Sequence, residues 1–290
     1  MRDELRHRLI EARAHDPGAI AAAAASRPRR PLLGETGRLM IIAADHTARG
    51  ILGVGRDLMA MENRFDLLDR LMLALSRPGV DGVLGTADII EDLLLLGALD
   101  NKIAVGSMNR GGLLGSAFEM DDRFTGYSAA GIAAGNLDAG KMLLRIDPDD
   151  PATVRTIEAC SAAVSELAGA QLPVMIEPFM VTGEGGRRRN DLSPAAVIRS
   201  VAISAGLGNT SGYTWLKLPV VAEMDRVAEA STLPVLLLGG DPSGDQDAMF
   251  ASWKQALSLP TVRGLVVGRS LLYPSAGDVA TAVDTAVSLL

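Results

Sequence analysis

Tyr213-Thr-Trp-Leu-Lys-Leu-Pro219 places a single lysine inside an apolar, β-prone run. Strand periodicity puts Tyr213, Trp215 and Lys217 on one face and Thr214, Leu216 and Leu218 on the other. Pro219 ends the run and a helical pattern follows from about Val220, so Lys217 lies at the C-terminal end of a strand that leads into a helix. In a barrel enzyme, chemistry sits at that end. One reading of Lys217 is a strand-end side chain that snorkels to water or pairs with a carboxylate. The other is a desolvated amine: burial disfavours the ammonium, and the neutral amine is the form that attacks a carbonyl carbon to make a Schiff base.

Outward from this unit the same strand-then-helix pattern recurs. Strands are read at 38–45, 80–85, 102–108, 141–146, 173–179, 213–218, 234–239 and 263–268, with helical patterns over 58–76, 88–96, 127–138, 151–168, 194–205, 222–230, 245–257 and 277–290. Alternating units with Val/Ile/Leu-rich strands imply a parallel sheet covered by helices. Eight of them in 290 residues predict an α/β fold of the (β/α)8 TIM-barrel type. A doubly wound sheet would carry a glycine-rich fingerprint after its first strand, and Gly53-Val-Gly55 is too short and lies beyond the strand end. Residues 1–37 read as a helical extension, with helices Asp3 to Ala14 and Gly18 to Ser26 broken at Asp16-Pro17 and followed by the linker Arg27-Pro-Arg-Arg-Pro31. Residues 38–290 form the barrel. Its longest linkers, Asn109 to Gly126 and Met180 to Leu192, follow strands, so both belong on the C-terminal face with lids and substrate loops.

Composition narrows the function classes. A net charge of −7 argues against nucleic-acid and membrane-surface partners, so an anionic ligand must be met by a local cationic cluster. The one cysteine, Cys160, falls in a helical pattern; it permits no intramolecular disulfide and fits a reducing cytoplasm. Three histidines, His7, His15 and His46, are too scattered for a zinc or two-metal site, so no metal cofactor is expected. The alanine-rich run Ala19 to Ala25 has acidic residues before it and arginines after it, the wrong order for a signal peptide, and the apolar segment at Leu93 to Leu96 is too short to span a bilayer.

Side chains at the C-terminal strand ends of a barrel converge on one mouth. Asp45 closes the first strand, Arg145 and Asp147 the fourth, Glu177 the fifth and Lys217 the sixth. Parity directs Ile41, Ala43 and Asp45 inward together, as it does Leu143 with Arg145, Met175 with Glu177, and Trp215 with Lys217. A structural reading makes these helix caps or a buried ion-pair network. The chemical reading makes Lys217 the Schiff-base nucleophile, Glu177 the proton-transfer group and Asp45 a second acid/base or hydroxyl anchor. Arg145 then either depresses the Lys217 pKa by like-charge repulsion or grips an anionic substrate group. The seventh and eighth strands end in Gly239-Gly-Asp241 and Gly268-Arg-Ser270. Loops there commonly bind phosphate, which makes Gly239, Gly240, Gly268 and Arg269 the phosphate-site residues. Arg187-Arg-Arg189, after the turn Gly183-Glu-Gly-Gly186, reads as a solvated run or as a mobile anion clamp. His46, the only histidine near a strand end, reads as a substrate hydrogen-bond partner, although parity points it away from the mouth if the strand still runs there.

This constellation resembles the class I aldolases of the deoxyribose-phosphate, tagatose-bisphosphate and bacterial class I fructose-bisphosphate aldolase superfamily. The resemblance covers roughly residues 38 to 272 and rests on Ala44-Asp45, Glu177, Leu216-Lys217, Gly239-Gly240 and Val267-Gly268-Arg269. It implies a Schiff-base lysine on the sixth strand, which Lys217 matches. It departs from deoxyribose-phosphate aldolases in having no second lysine on the seventh strand, and from some fructose-bisphosphate aldolases in having no acid/base tyrosine; Glu177 looks more like the tagatose-bisphosphate pattern. A likeness to barrel proteins found with actinobacterial inositol-catabolism enzymes implies a sugar-acid phosphate substrate. The expectation is a cytoplasmic, homo-oligomeric, metal-independent lyase of carbohydrate metabolism that cleaves or forms a C–C bond in a phosphorylated keto sugar or sugar acid, with dihydroxyacetone phosphate or a similar three-carbon product. The alternatives are a sugar-phosphate isomerase or epimerase on the same barrel, and a non-catalytic sugar-phosphate-binding barrel.

Overall fold

A computed structural model describes residues 1–183, 188–240 and 245–290. The barrel strands are β1 (Leu39–Ala43), β2 (Gly82–Gly85), β3 (Ile103–Ser107), β4 (Ala139–Ile146), β5 (Val174–Thr182), β7 (Thr214–Leu218), β8 (Val235–Leu238) and β9 (Val262–Val267), with a short β6 (Arg189–Asp191) folded antiparallel onto the end of β5. All barrel pairings are parallel, in the order β4-β3-β2-β1-β9-β8-β7-β5, and β4 pairs with β5 to close the ring. The result is a closed, eight-stranded (β/α)8 barrel.

Two apolar shells hold it. Inside, Leu39, Ile41, Ala43, Leu84, Ile103, Val105, Ala139, Met175, Leu236 and Val266 fill the barrel, with Trp215 and Leu32 packed against them. The alternate residues of the same strands, such as Met40, Ile42, Ala104, Ile176 and Leu216, face the helices in the larger outer core. The inward set therefore includes Ile41, Ala43, Met175 and Trp215, the parity partners read from the sequence. At Gly264, opposite Leu39 in the β1–β9 register, φ is +138° and a Cβ would lie 1.9 Å from the Leu39 carbonyl oxygen, so only glycine lets these two strands close.

Several boundaries differ from the sequence reading. The helix after β1, α3 (Arg64–Ser76), starts six residues later than the pattern over 58–76 suggests, because the Asn63 side chain caps it by accepting from the backbone N–H of Phe65 and Asp66. Leu58 is 77% exposed, so its place in the helical spacing is fortuitous. Strand β4 starts at Ala139 rather than Lys141, which puts that lysine inside the barrel wall. The segment after the eighth barrel strand is a short helix, Arg269–Leu272, followed by a second helix, Val279–Val287, rather than a loop and one helix.

The N-terminal helices α1 (Asp3–His15) and α2 (Gly18–Ser26) lie on the outside of the barrel. Arg13 joins α1 to α4 (Ala87–Leu95), ion-paired with Asp92 at 2.7 Å and Glu91 at 2.9 Å. The linker that follows is pinned by its arginines. Arg27 is buried and donates to the carbonyls of Lys102 (2.7 Å) and Asn136 (2.5 Å) and to Asp138 (3.0 Å); Arg30 pairs with Asp81. Leu32 is thereby set against the inner core as a plug. Arg27→Ala leaves two carbonyls without their donor and Asp138 with only Arg29 and the Ala104 N–H, and is expected to lower the unfolding free energy by about 2 kcal/mol, read by urea denaturation, with α1 and α2 freed to proteolysis. Among the described residues no helix is long and apolar enough to cross a membrane.

Candidate active site

Five ionisable side chains from five segments form one buried chain at the C-terminal mouth. Lys217 Nζ on β7 lies 2.9 Å from Glu177 Oε1 on β5. The other Glu177 oxygen pairs with Lys141 Nζ, which rises from β4 and also lies 3.4 Å from Asp45 Oδ2 just past β1. Asp45 Oδ2 accepts from Ser107 Oγ at 3.0 Å and pairs with Arg110 from the loop after β3. Asp45 Oδ1 is buried with no hydrogen-bond partner. Lys141 and Asp45 are fully enclosed. Register explains the convergence: Lys141 sits opposite Met175, one inward step below Leu143 and Glu177, so its long side chain reaches the level of the carboxylates.

Burial lowers the pKa of Lys217, and the charge of Arg110 adds to this while Glu177 opposes it. Burial holds Lys141 well below the ordinary lysine range, again with help from Arg110. Burial alone would push the Glu177 carboxyl up, but Lys141, Lys217 and Arg110 together outweigh it and hold it well below the usual carboxylate range. Three basic groups thus share two carboxylates, Asp45 and Glu177, in a largely buried site. A third buried positive charge would have no counter-ion of its own, so the site favours the neutral form of both amines, more strongly at Lys141 than at Lys217. A neutral lysine amine is a nucleophile.

Above this chain is a cavity of about 200 Å³ whose described lining carries Arg49, Arg110, Arg145, Lys217 and Arg269 against one carboxylate, Glu177. In a protein of net charge −7 this is a local reversal of sign suited to an anion. Gly239, Gly240, Gly268, Arg269 and Ser270 line its β8–β9 side. A Cβ at Gly268 would lie 2.2 Å from the Ala43 carbonyl oxygen and 2.9 Å from His46 Cε1, so a side chain there would crowd this wall. Asp241 and Arg187 lie outside the described residues.

The sequence-derived site residues gather here, with corrections of detail. Lys217, Glu177 and Asp45 are in contact through the chain just described. Arg145 lines the mouth, but its guanidinium is held by Asp122 (Nη2–Oδ1 2.5 Å) and by the Glu119 carbonyl, and the guanidinium that lowers Lys217 is that of Arg110. His46 lines the cavity rather than pointing away, because β1 ends at Ala43 and strand parity no longer applies. Burial, with the charges of Arg269 and Lys217, pushes its imidazole down to about 3, so it is neutral. Asp147 pairs with Arg188 at 2.7 Å, next to the start of β6, instead of joining the mouth.

Lys141, Ser107 and Arg110 were missed. Lys141 shares the parity of Leu143 and Arg145 and was legible once the strand was begun at Ala139; Arg110 lies on a loop, where no periodicity announces it.

Together these features define a closed (β/α)8 barrel with a buried lysine–carboxylate chain at its mouth. The chain belongs to the Cgl0159-like family, whose sequence model matches residues 37–287. The crystal structure of Cgl0159 from Corynebacterium glutamicum is 58% identical, with all of this chain aligned to 97% of that one at a TM-score of 0.96. An archaeal fructose 1,6-bisphosphate aldolase shares the fold at 17% identity, with 93% of this chain and 98% of that chain aligned and a TM-score of 0.66. A fructose-bisphosphate aldolase from Slackia heliotrinireducens does so at 14% identity, with 97% and 84% aligned and a TM-score of 0.65. No curated protein matches.

Proposed function

We propose that this protein is a class I, Schiff-base-forming aldolase that cleaves or forms a C–C bond in a phosphorylated keto sugar or sugar acid, with dihydroxyacetone phosphate or a close three-carbon relative as the donor. The observation that carries the reading is the Lys217 amine, buried at the mouth and hydrogen-bonded to Glu177. Neutral Lys217 attacks the substrate carbonyl. The nitrogen proton passes through Glu177 to the former carbonyl oxygen, giving the carbinolamine hydroxyl, and a second proton, taken up from solvent and delivered by Glu177, lets that hydroxyl leave as water and gives the iminium. Asp45, through its unpartnered oxygen, takes the proton of the substrate hydroxyl as the C–C bond breaks and its electron pair moves into the iminium to give an enamine. Lys141 bridges the two carboxylates and stabilises whichever is ionised. Protonation of the enamine and hydrolysis release the three-carbon product and restore Lys217. Because the iminium is the electron sink, the chemistry asks for no metal. The glycines at 239, 240 and 268 and Arg269 would hold the phosphate.

Incubation with dihydroxyacetone phosphate and sodium borohydride tests this. The expected result is a mass increment of one reduced donor, located on the peptide carrying Lys217. A folded protein that takes up no label from dihydroxyacetone phosphate, pyruvate or a wider set of carbonyl compounds would reject the Schiff-base reading and favour isomerisation or binding without turnover.

A further inference from the structure

The loop after β3 brings Arg110 into the site, and one buried amide decides where that loop leaves the sheet. Backbone pairing of β3 with β4 ends with the Met108 N–H donating to the Lys141 carbonyl at 2.8 Å. In the register that sets Ser107 opposite Lys141, position 109 falls opposite Leu143. There the side chain of Asn109, fully buried, takes over the ladder: Oδ1 accepts from the Leu143 N–H (2.7 Å), and Nδ2 donates to the Leu143 carbonyl (2.6 Å) and to the Asp122 carbonyl (2.8 Å). The main chain leaves the β3–β4 ladder here, and Asn109 bridges antiparallel to Phe124 across the loop instead. Its next residue is Arg110, whose N–H donates to Thr125 Oγ1 at 3.0 Å and whose guanidinium descends onto Asp45. Asp122 ties the return limb of the loop to β4 through the Arg145 N–H (3.0 Å) and guanidinium.

We propose that Asn109 is a positioning residue that, by standing in for a backbone rung, holds Arg110 over Asp45 and so keeps the Lys217 amine neutral and ready to react. The inference deepens the aldolase reading and rests on it. Lys217 is faced by Glu177 from β5, Lys141 from β4, Arg110 from the β3 loop, Asp45 beyond β1, and His46 and Arg269 on the β1 and β9 sides of the mouth. With Arg110 in place, three basic groups share two carboxylates. With Arg110 withdrawn, Lys141 and Lys217 each have one, and both are stable as ammonium ions.

The test is the titration midpoint of Lys217, read without substrate by competitive acetylation with acetic anhydride across pH and quantified on its peptide by mass spectrometry. Arg110→Gln and Asn109→Ala are each expected to raise the midpoint by about one pH unit, which is a tenfold loss of labelling below it. Asn109→Ala should add nothing in the Arg110→Gln background. The proposal is overturned if Arg110→Gln leaves the midpoint unmoved, if Asn109→Ala leaves it at the wild-type value, or if the Asn109→Ala shift persists without Arg110. Should Asn109→Ala not fold, Asn109→Ser, whose hydroxyl can still bridge to β4, enters the same comparison with a smaller expected shift. Because no substrate is used, an absence of aldolase turnover would strike the functional reading and leave this result standing.

Discussion

Lys217→Met is expected to reduce carbon–carbon bond cleavage by about four orders of magnitude or more while the barrel stays folded. The size follows from the chemistry: without the amine there is no iminium, and the electron pair of the breaking bond has nowhere to go. The other charged groups of the mouth cannot take over. Lys141 is fully buried below the cavity, between Asp45 and Glu177, and Arg110 is a guanidinium, which is not a nucleophile at neutral pH. The fold should tolerate the change, because methionine fills most of the lysine's volume beside Leu236 and Trp215, and Glu177 keeps Lys141 as its counter-ion. The measurement is single-turnover cleavage of the best substrate found, alongside circular dichroism and borohydride trapping. A variant that retains even a hundredth of the rate would show that Lys217 acts electrostatically and that the bond is broken, if at all, by another route.

How far the site could be read from residues alone depended on whether a group lay within a regular element. Asp45 stands just past β1, Lys217 near the end of β7 and Glu177 within the longer β5, each in an apolar strand with a period of two, so convergence on one mouth follows from topology and parity. The barrel was legible for the same reason: each unit repeats one pattern, and tertiary packing did not override it. Where the chain leaves regular structure the inference stops. Strand parity says nothing of His46, because β1 ends at Ala43, and it lines the cavity as a substrate-partner reading requires. The start of α3 was set too early because Leu58 and Met61 fit a helical spacing in what is a capped loop. Arg110 was out of reach altogether, since its place depends on the Asn109 side chain mimicking backbone, a contact between residues 34 positions apart.

The second large effect is expected at Lys141, the group that links the two carboxylates. In Lys141→Met the Asp45–Arg110 and Glu177–Lys217 pairs become separate, each with one positive and one negative charge. Burial and Arg110 still favour the neutral form of Lys217, but less effectively, because its like-charged neighbour on β4 is gone and Glu177 is wholly its own. Turnover is expected to fall by about a thousandfold, within the range for loss of proton-transfer assistance, and the acid limb of kcat/KM should move to higher pH. Stability should change its pH dependence as well. In the wild-type fold both amines have midpoints below the ordinary 10.5, so between those midpoints and 10.5 the unfolded chain binds more protons than the native one. Stability therefore rises with pH across that window. Methionine at 141 removes one such amine and raises the midpoint of the other, so the rise should flatten, which urea denaturation at a series of pH values will show. An unchanged slope together with an unmoved acid limb would mean that Lys141 is already charged in the resting site and serves only to hold the carboxylates apart.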